Sequence, residues 1–184
     1  MIAVTDRGIA RVILRPTKRE LDSVQDTAHS KSDASKARKH VRRLQKQLTR
    51  YFAGEAVRFD VPLDLSAGTA FQRAVWRACA RIPYGETRSY GELAQMAGRP
   101  GAARAVGGAM HANPLSILVP CHRVIRSDGS LGGFGLGISL KKKLLRLEQH
   151  CVADGRTVGA AAGRPYERPH RAERFDRCGE RPRT

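Results

Sequence analysis

Two strong helix breakers, Pro83-Tyr84-Gly85 and Gly98-Arg99-Pro100-Gly101, cut the middle of the chain into short pieces. Proline lacks the backbone donor a helix interior needs, and glycine supplies the turn conformations that follow a helix end. The segment can therefore hold only short helices. Phe71, Val75, Trp76 and Cys79 fall at helical spacing and predict a helix over 71–82, with Cys79 facing the core. Ser89 is placed to cap a second helix over 90–97, and a third runs over about 102–112 after the turn. The last two pieces have the outline of a helix-turn-helix. The third, Ala102 to Met110, is built almost wholly of small residues, so its backbone can approach another surface closely and only Arg104 projects far.

The flanks complete an α/β arrangement. Ile2–Thr5 and Ile9–Leu14 surround Asp6-Arg7-Gly8 and predict a hairpin over 2–15. A polar stretch over 27–39 leads into a helix over 34–53, with Val41, Leu44, Leu48 and Phe52 along one face and Gly54 beyond its end. Phe59 to Leu65 reads as an extended connector around Pro62, which sets a domain boundary between about 60 and 68. Leu115 to Val119 is an apolar run ending at Pro120-Cys121, 129–137 is glycine-rich, and a last helix is predicted over 139–150. From Cys151 the chain is rich in Arg, Gly and Pro and poor in large apolar residues, which predicts a disordered basic tail.

Charge narrows the function. Of the 184 residues, 34 are Lys or Arg against 17 Asp or Glu, a formal net charge of +17 that suits a polyanionic partner. No apolar run reaches the length of a membrane span, and Met1 to Asp6 does not read as a signal peptide. A cytoplasmic or nucleoid-associated protein that binds nucleic acid, with no membrane, is the expectation. The four cysteines, Cys79, Cys121, Cys151 and Cys178, form no Cys-x-x-Cys pair, so neither a disulfide framework nor a zinc site is expected.

Cys121 carries the chemical interest. A cysteine attacks as its thiolate, which an adjacent base or a positive environment must make available. His122 is next to it. On an extended chain neighbouring side chains point apart, so contact through a water and contact around a bend both remain open. Taken by itself a Cys beside a His is more often a buried thiol than a nucleophile.

The run Ile117-Leu118-Val119-Pro120-Cys121-His122-Arg123-Val124-Ile125 resembles the active-site signature of the O6-methylguanine-DNA methyltransferases. The similarity runs from Phe71 to His150 and takes in Ile82-Pro83-Tyr84-Gly85-Glu86-Thr87, Ser89-Tyr90, Ala102 to Met110 and Asn113-Pro114; Tyr51-Phe52-Ala53-Gly54 and Phe59-Asp60-Val61 fit the family's connection into that part. The resemblance implies Cys121 as the alkyl acceptor, His122 as its base through a water, and Glu148 as the carboxylate orienting that His. It further implies Asn113 as the brace of the Cys121 turn and Tyr90 as the donor to the departing guanine. For DNA it implies Arg104 as a finger inserted from the minor groove, Ala103 and Gly107 as close-approach positions, and Arg99 and Ser127 as backbone contacts. Arg126, Lys141, Lys142 and Lys143 join these as candidates for phosphate contact or positive field. Met110, Val119, Val124, Phe134 and Gly135 are implied as the base pocket, with Phe134 standing where several relatives carry Tyr and Gly135 offering only a backbone N–H.

By the same resemblance the fold is α/β. A small sheet-and-helix domain of ribonuclease-H-like type, shortened because no strand precedes Ile2, covers 1–65; an α-rich domain with a helix-turn-helix covers 66–150; and the tail covers 151–184. The implied activity is stoichiometric, irreversible transfer of an alkyl group from O6-alkylguanine, and from O4-alkylthymine, in double-stranded DNA to Cys121 of a monomer. No cofactor or metal is called for. Two other classes compete: a lesion-binding module that flips alkylated bases without transfer, against which Cys121 itself argues, and a transcriptional regulator, for which no added metal-binding domain is present.

Overall fold

The computed structural model describes residues 1–14 and 31–153. Cys151 to Ala153, expected to open a disordered tail, continue the last helix instead; the rest of that tail and the start of the polar stretch lie outside the described residues.

At the amino terminus β1 (Ile2–Thr5) and β2 (Gly8–Val12) form the expected antiparallel hairpin, with a register shift between Ala3 and Val4. β2 also joins two later segments. Ile9 N–H donates to Pro62 O at 2.8 Å, Asp64 N–H donates to Ile9 O at 2.9 Å, and Val12 N–H donates to Pro114 O at 2.9 Å. Gly8 sits at φ +140, where a Cβ would lie 2.3 Å from Pro62 O. Glycine is therefore required for the close approach of hairpin and connector.

Helix α1 (Lys31–Phe52) packs on the hairpin. Its phase differs from the predicted stripe. Leu44 and Tyr51 are fully buried, whereas Phe52, expected on the buried face, is 49% exposed. Leu44 to Tyr51 is a seven-residue step, close to two helical turns, and this carries Tyr51 rather than Phe52 under the protein.

Helices α2 (Ala70–Cys79), α3 (Tyr90–Met96) and α4 (Ala103–His111) form the expected trio and pack against one another. Two of them begin with capping boxes: Thr69 with Gln72, and Ser89 with Glu92, each pairing side chain to backbone in both directions. Trp76 of α2 donates its indole N–H to Ala109 O of α4 at 2.8 Å. Its ring covers Gly68, where a Cβ would come within 2.3 Å.

A two-residue parallel pair, β3 (Arg88–Ser89) with β4 (Val124–Ile125), ties the start of α3 to the chain just after Cys121. Helix α5 (Ile138–Ala153) closes the described structure. A continuous apolar cluster joins Ile9, Val12, Leu44 and Val61 to Val75, Trp76, Leu93, Val106, Leu115 and Val124. The core thus passes beneath the connector and ties the amino-terminal hairpin and helix to the segment bearing Cys121. None of the helices is long and apolar enough to cross a membrane, among the described residues.

Candidate active site

The loop carrying Cys121 is built by one side chain. Asn113 accepts a bond from Leu115 N–H at 3.0 Å through Oδ1, and its Nδ2 donates both to Val119 O at 2.9 Å and to Cys121 Sγ at 3.3 Å. Between these anchors Ile117 adopts φ +75, a conformation β-branched residues rarely take. It is held there by burial, at 2% exposure. Strain of this kind persists only where surrounding packing over-determines the backbone.

Cys121 to Arg123 then form a 3-10 turn, so the extended geometry considered from sequence does not apply. The bend separates three neighbouring side chains. Cys121 is half-buried, while His122 and Arg123 turn into the interior. Burial pushes the Cys121 thiol above its usual value, opposed by the Asn113 bond and the positive charge of Lys141.

Glu148 of α5 lies at the centre of the interior. Its Oε1 accepts from Tyr51 Oη at 2.6 Å, His122 Nε2 at 2.8 Å and Arg123 Nη2 at 3.0 Å. Its Oε2 accepts from Arg123 Nε at 2.9 Å and Gly85 N–H at 3.1 Å. Both His122 and Glu148 are fully buried. Burial alone would raise the carboxyl, but the Arg123 guanidinium and His122 overcome it and hold Glu148 far below the carboxylate range. The imidazole moves the other way from its ion-pair partner's pull. Burial lowers His122 despite the raising influence of Glu148, so a neutral ring faces a carboxylate already balanced by Arg123. With Nε2–H donated to Glu148, the unprotonated nitrogen is Nδ1, which has no hydrogen-bond partner among the described residues.

Lys141 was grouped with surface cations by sequence, and the structure corrects this. It is fully buried, and its Nζ donates to Val124 O at 2.6 Å and to Leu131 O. It fastens β4 to the glycine-rich loop and cannot reach a phosphate. Burial, opposed by the Cys121 charge, pushes its amine down to about 8. Lys142 and Lys143 are exposed, as are Arg99, Arg104, Arg126 and Ser127.

Tyr90 is half-buried between two glycines. A Cβ on Gly132 would lie 3.3 Å from its hydroxyl, and one on Gly107 would lie 4.0 Å from its ring. Burial raises its hydroxyl, with Cys121 adding to the shift. Of the expected pocket residues, Phe134 is half-buried and Gly135 exposed, Met110 is 7% exposed, and Val119 and Val124 are wholly buried. On α4 the exposed positions Arg104 and Gly108 lie one turn apart, opposite buried Val106, Ala109 and Met110, with Ala103 and Gly107 at the margin.

Sequence reasoning missed Tyr51, Arg123 and the Gly85 N–H as partners of Glu148. Arg123 stood inside the signature, but nothing local marked it as buried. Among the described residues no group of three or more His, Cys, Asp or Glu is arranged to hold a metal ion.

Comparison with known proteins identifies what the chain as a whole is similar to. Residues 70–150 match the family described as 6-O-methylguanine DNA methyltransferase, DNA binding domain. A methylated-DNA–protein-cysteine methyltransferase of Mycobacterium bovis is 61% identical over 103 residues, 56% of this chain, and the chain spans 62% of that relative's length. The protein of the same description from Methanosarcina barkeri is 40% identical over 150 residues, 82% of this chain and 90% of the relative. Among solved structures, Mycobacterium tuberculosis OGT in complex with DNA aligns with a TM-score of 0.56 at 59% identity, covering 58% of this chain and 65% of that one. The M. tuberculosis O6-methylguanine methyltransferase aligns at 0.55 and 55% identity, covering 64% and 67%. Since the M. barkeri protein is 40% identical over 150 residues and 90% of its length is covered, the chain belongs to the O6-methylguanine-DNA methyltransferase family.

Proposed function

We propose that this protein repairs DNA by a single, irreversible alkyl transfer from O6 of guanine, and from O4 of thymine, to Cys121. The observation that carries the proposal is a half-buried thiol braced by Asn113 on the same 3-10 turn as a neutral imidazole held by a buried, arginine-balanced carboxylate. His122 Nδ1 takes the thiol proton through a water, and Glu148 fixes the tautomer and stabilises the cation that results. The sulfur then attacks the alkyl carbon. A carbon–sulfur bond forms, the carbon–oxygen bond breaks, and its electron pair leaves with the base oxygen as Tyr90 donates a proton. The thioether has no leaving route, so each molecule acts once and no cofactor is needed.

The carbon is out of reach inside a duplex, so the nucleotide is extruded. In this reading α3 and α4 act as a helix-turn-helix whose Arg104 enters from the minor groove, with Ala103 and Gly107 allowing close approach and Arg99 and Ser127 contacting backbone phosphates. Phe134 and Gly135 meet the extruded base, and Met110, Val119 and Val124 back its pocket. The likeness to a relative solved with DNA supports this partner. We further read residues 1–65 as a ribonuclease-H-like domain and 66–150 as the reactive domain of a cytoplasmic monomer. Cys121→Ala is the test: lesion binding kept with transfer abolished supports the proposal, and transfer surviving the substitution overturns it.

A further inference from the structure

The Glu148 carboxylate receives more donors than the chemistry above uses. Three of them crowd Oε1, and the shortest bond, 2.6 Å, comes from Tyr51, a residue of the amino-terminal helix far from the signature in sequence. The same hydroxyl lies 3.3 Å from His122 Nε2, at the edge of hydrogen-bond distance. Tyr51 is fully buried, with its ring against Phe59, Tyr84 and Phe52, so its position is set by packing from three sides.

Resting on the reading of His122 as the base, we propose that Tyr51 is a positioning residue of the proton relay: its hydroxyl shares Glu148 Oε1 with His122 and limits how firmly that carboxylate holds a proton on the imidazole. A base that must accept a proton and remain neutral beforehand is spoiled by too strong a carboxylate behind it. Each donor on Oε1 draws negative charge away from Nε2. Around His122 the other charged or titratable groups are Glu148 and Lys141 from α5, with Arg123 and Cys121 from its own turn. Burial is the largest single influence and opposes the imidazolium, Glu148 favours it, and Arg123 and Lys141 act with burial. Tyr51 thus makes the amino-terminal helix part of the reactive machinery, although it lies outside the matched segment 70–150.

The test is the titration of His122 itself, read by nitrogen NMR on ring-labelled histidine and assigned with a His122→Asn variant. Tyr51→Phe keeps the ring and removes the donor. The expected result is a His122 midpoint raised by on the order of half a pH unit, with the acid limb of the single-turnover rate displaced to higher pH in step. Site-specific 3-fluorotyrosine at position 51, a stronger donor in the same packing, should move the midpoint down. A midpoint that is unchanged or falls in Tyr51→Phe overturns the proposal, whatever happens to the overall rate. Because the titration is read from the ring, it is separate from the assignment of His122 as base, which undiminished transfer by His122→Asn would overturn.

Discussion

Replacing Glu148 by Gln keeps the shape of the side chain and removes the charge around which the interior is organised. The five donors received by its two oxygens include both guanidinium contacts of Arg123, which is itself buried. Glutamine offers one acceptor oxygen and turns an NH2 toward groups that are already donors, leaving a buried cation without its counter-charge. Removing one partner of a buried ion pair costs about 3–5 kcal/mol. At about 2–4 °C per kcal/mol for a chain of this size, thermal unfolding should occur about 6–20 °C lower than in the parent at pH 7. The pH dependence supplies a sharper check. Because folding holds the Glu148 carboxyl below its ordinary value of 4.5, its contribution is fully present above that pH and is lost as pH falls toward the folded value. The stability gap between parent and variant should therefore be constant from neutral pH to about 5 and narrow below 4.5. Denaturant melts across this range measure it. A variant within 2 °C of the parent, or a gap that does not narrow in acid, would refute the reasoning.

Two other substitutions separate binding from chemistry. Asn113→Ala removes the donor to Cys121 Sγ and to Val119 O; since that donor favours the thiolate, transfer at neutral pH should slow by about 10–100-fold. Part of the loss should be recovered as pH is raised, and stopped-flow rates on a lesion duplex will show whether it is. Arg104→Ala leaves an exposed helix position, so stability should stay within about 0.5 kcal/mol while the rate on duplex falls much more than the rate on the same lesion in a single strand.

Much of the architecture could be read because its signals were local. Pro83 and Gly85 followed one helix end, Gly98 and Gly101 made the turn between two helices, Ser89 capped one, and the hairpin was marked by Asp6-Arg7-Gly8. What escaped depended on distant partners. The β3–β4 pair is two residues per strand and joins positions far apart in sequence, leaving no periodic pattern to detect. Lys141 looked like its neighbours Lys142 and Lys143, and only the fold turns it inward to the carbonyls of Val124 and Leu131. Glu148 would have been taken as a surface charge on a lysine-rich helix had the Cys121 signature not implied a carboxylate behind His122. Tyr51 was displaced by Phe52 in the predicted stripe, an error of one residue in helical phase that concealed a contact to the reactive centre.

The central claim is that Cys121 becomes permanently alkylated. Equal amounts of protein and duplex DNA carrying one O6-methylguanine should be mixed and followed by intact-protein and peptide mass spectrometry. The account predicts one methyl group added on Cys121, a matching amount of restored guanine, and no further repair when more lesion is supplied. Tight binding to the lesion without added mass, or a methyl group on any other residue, would contradict it.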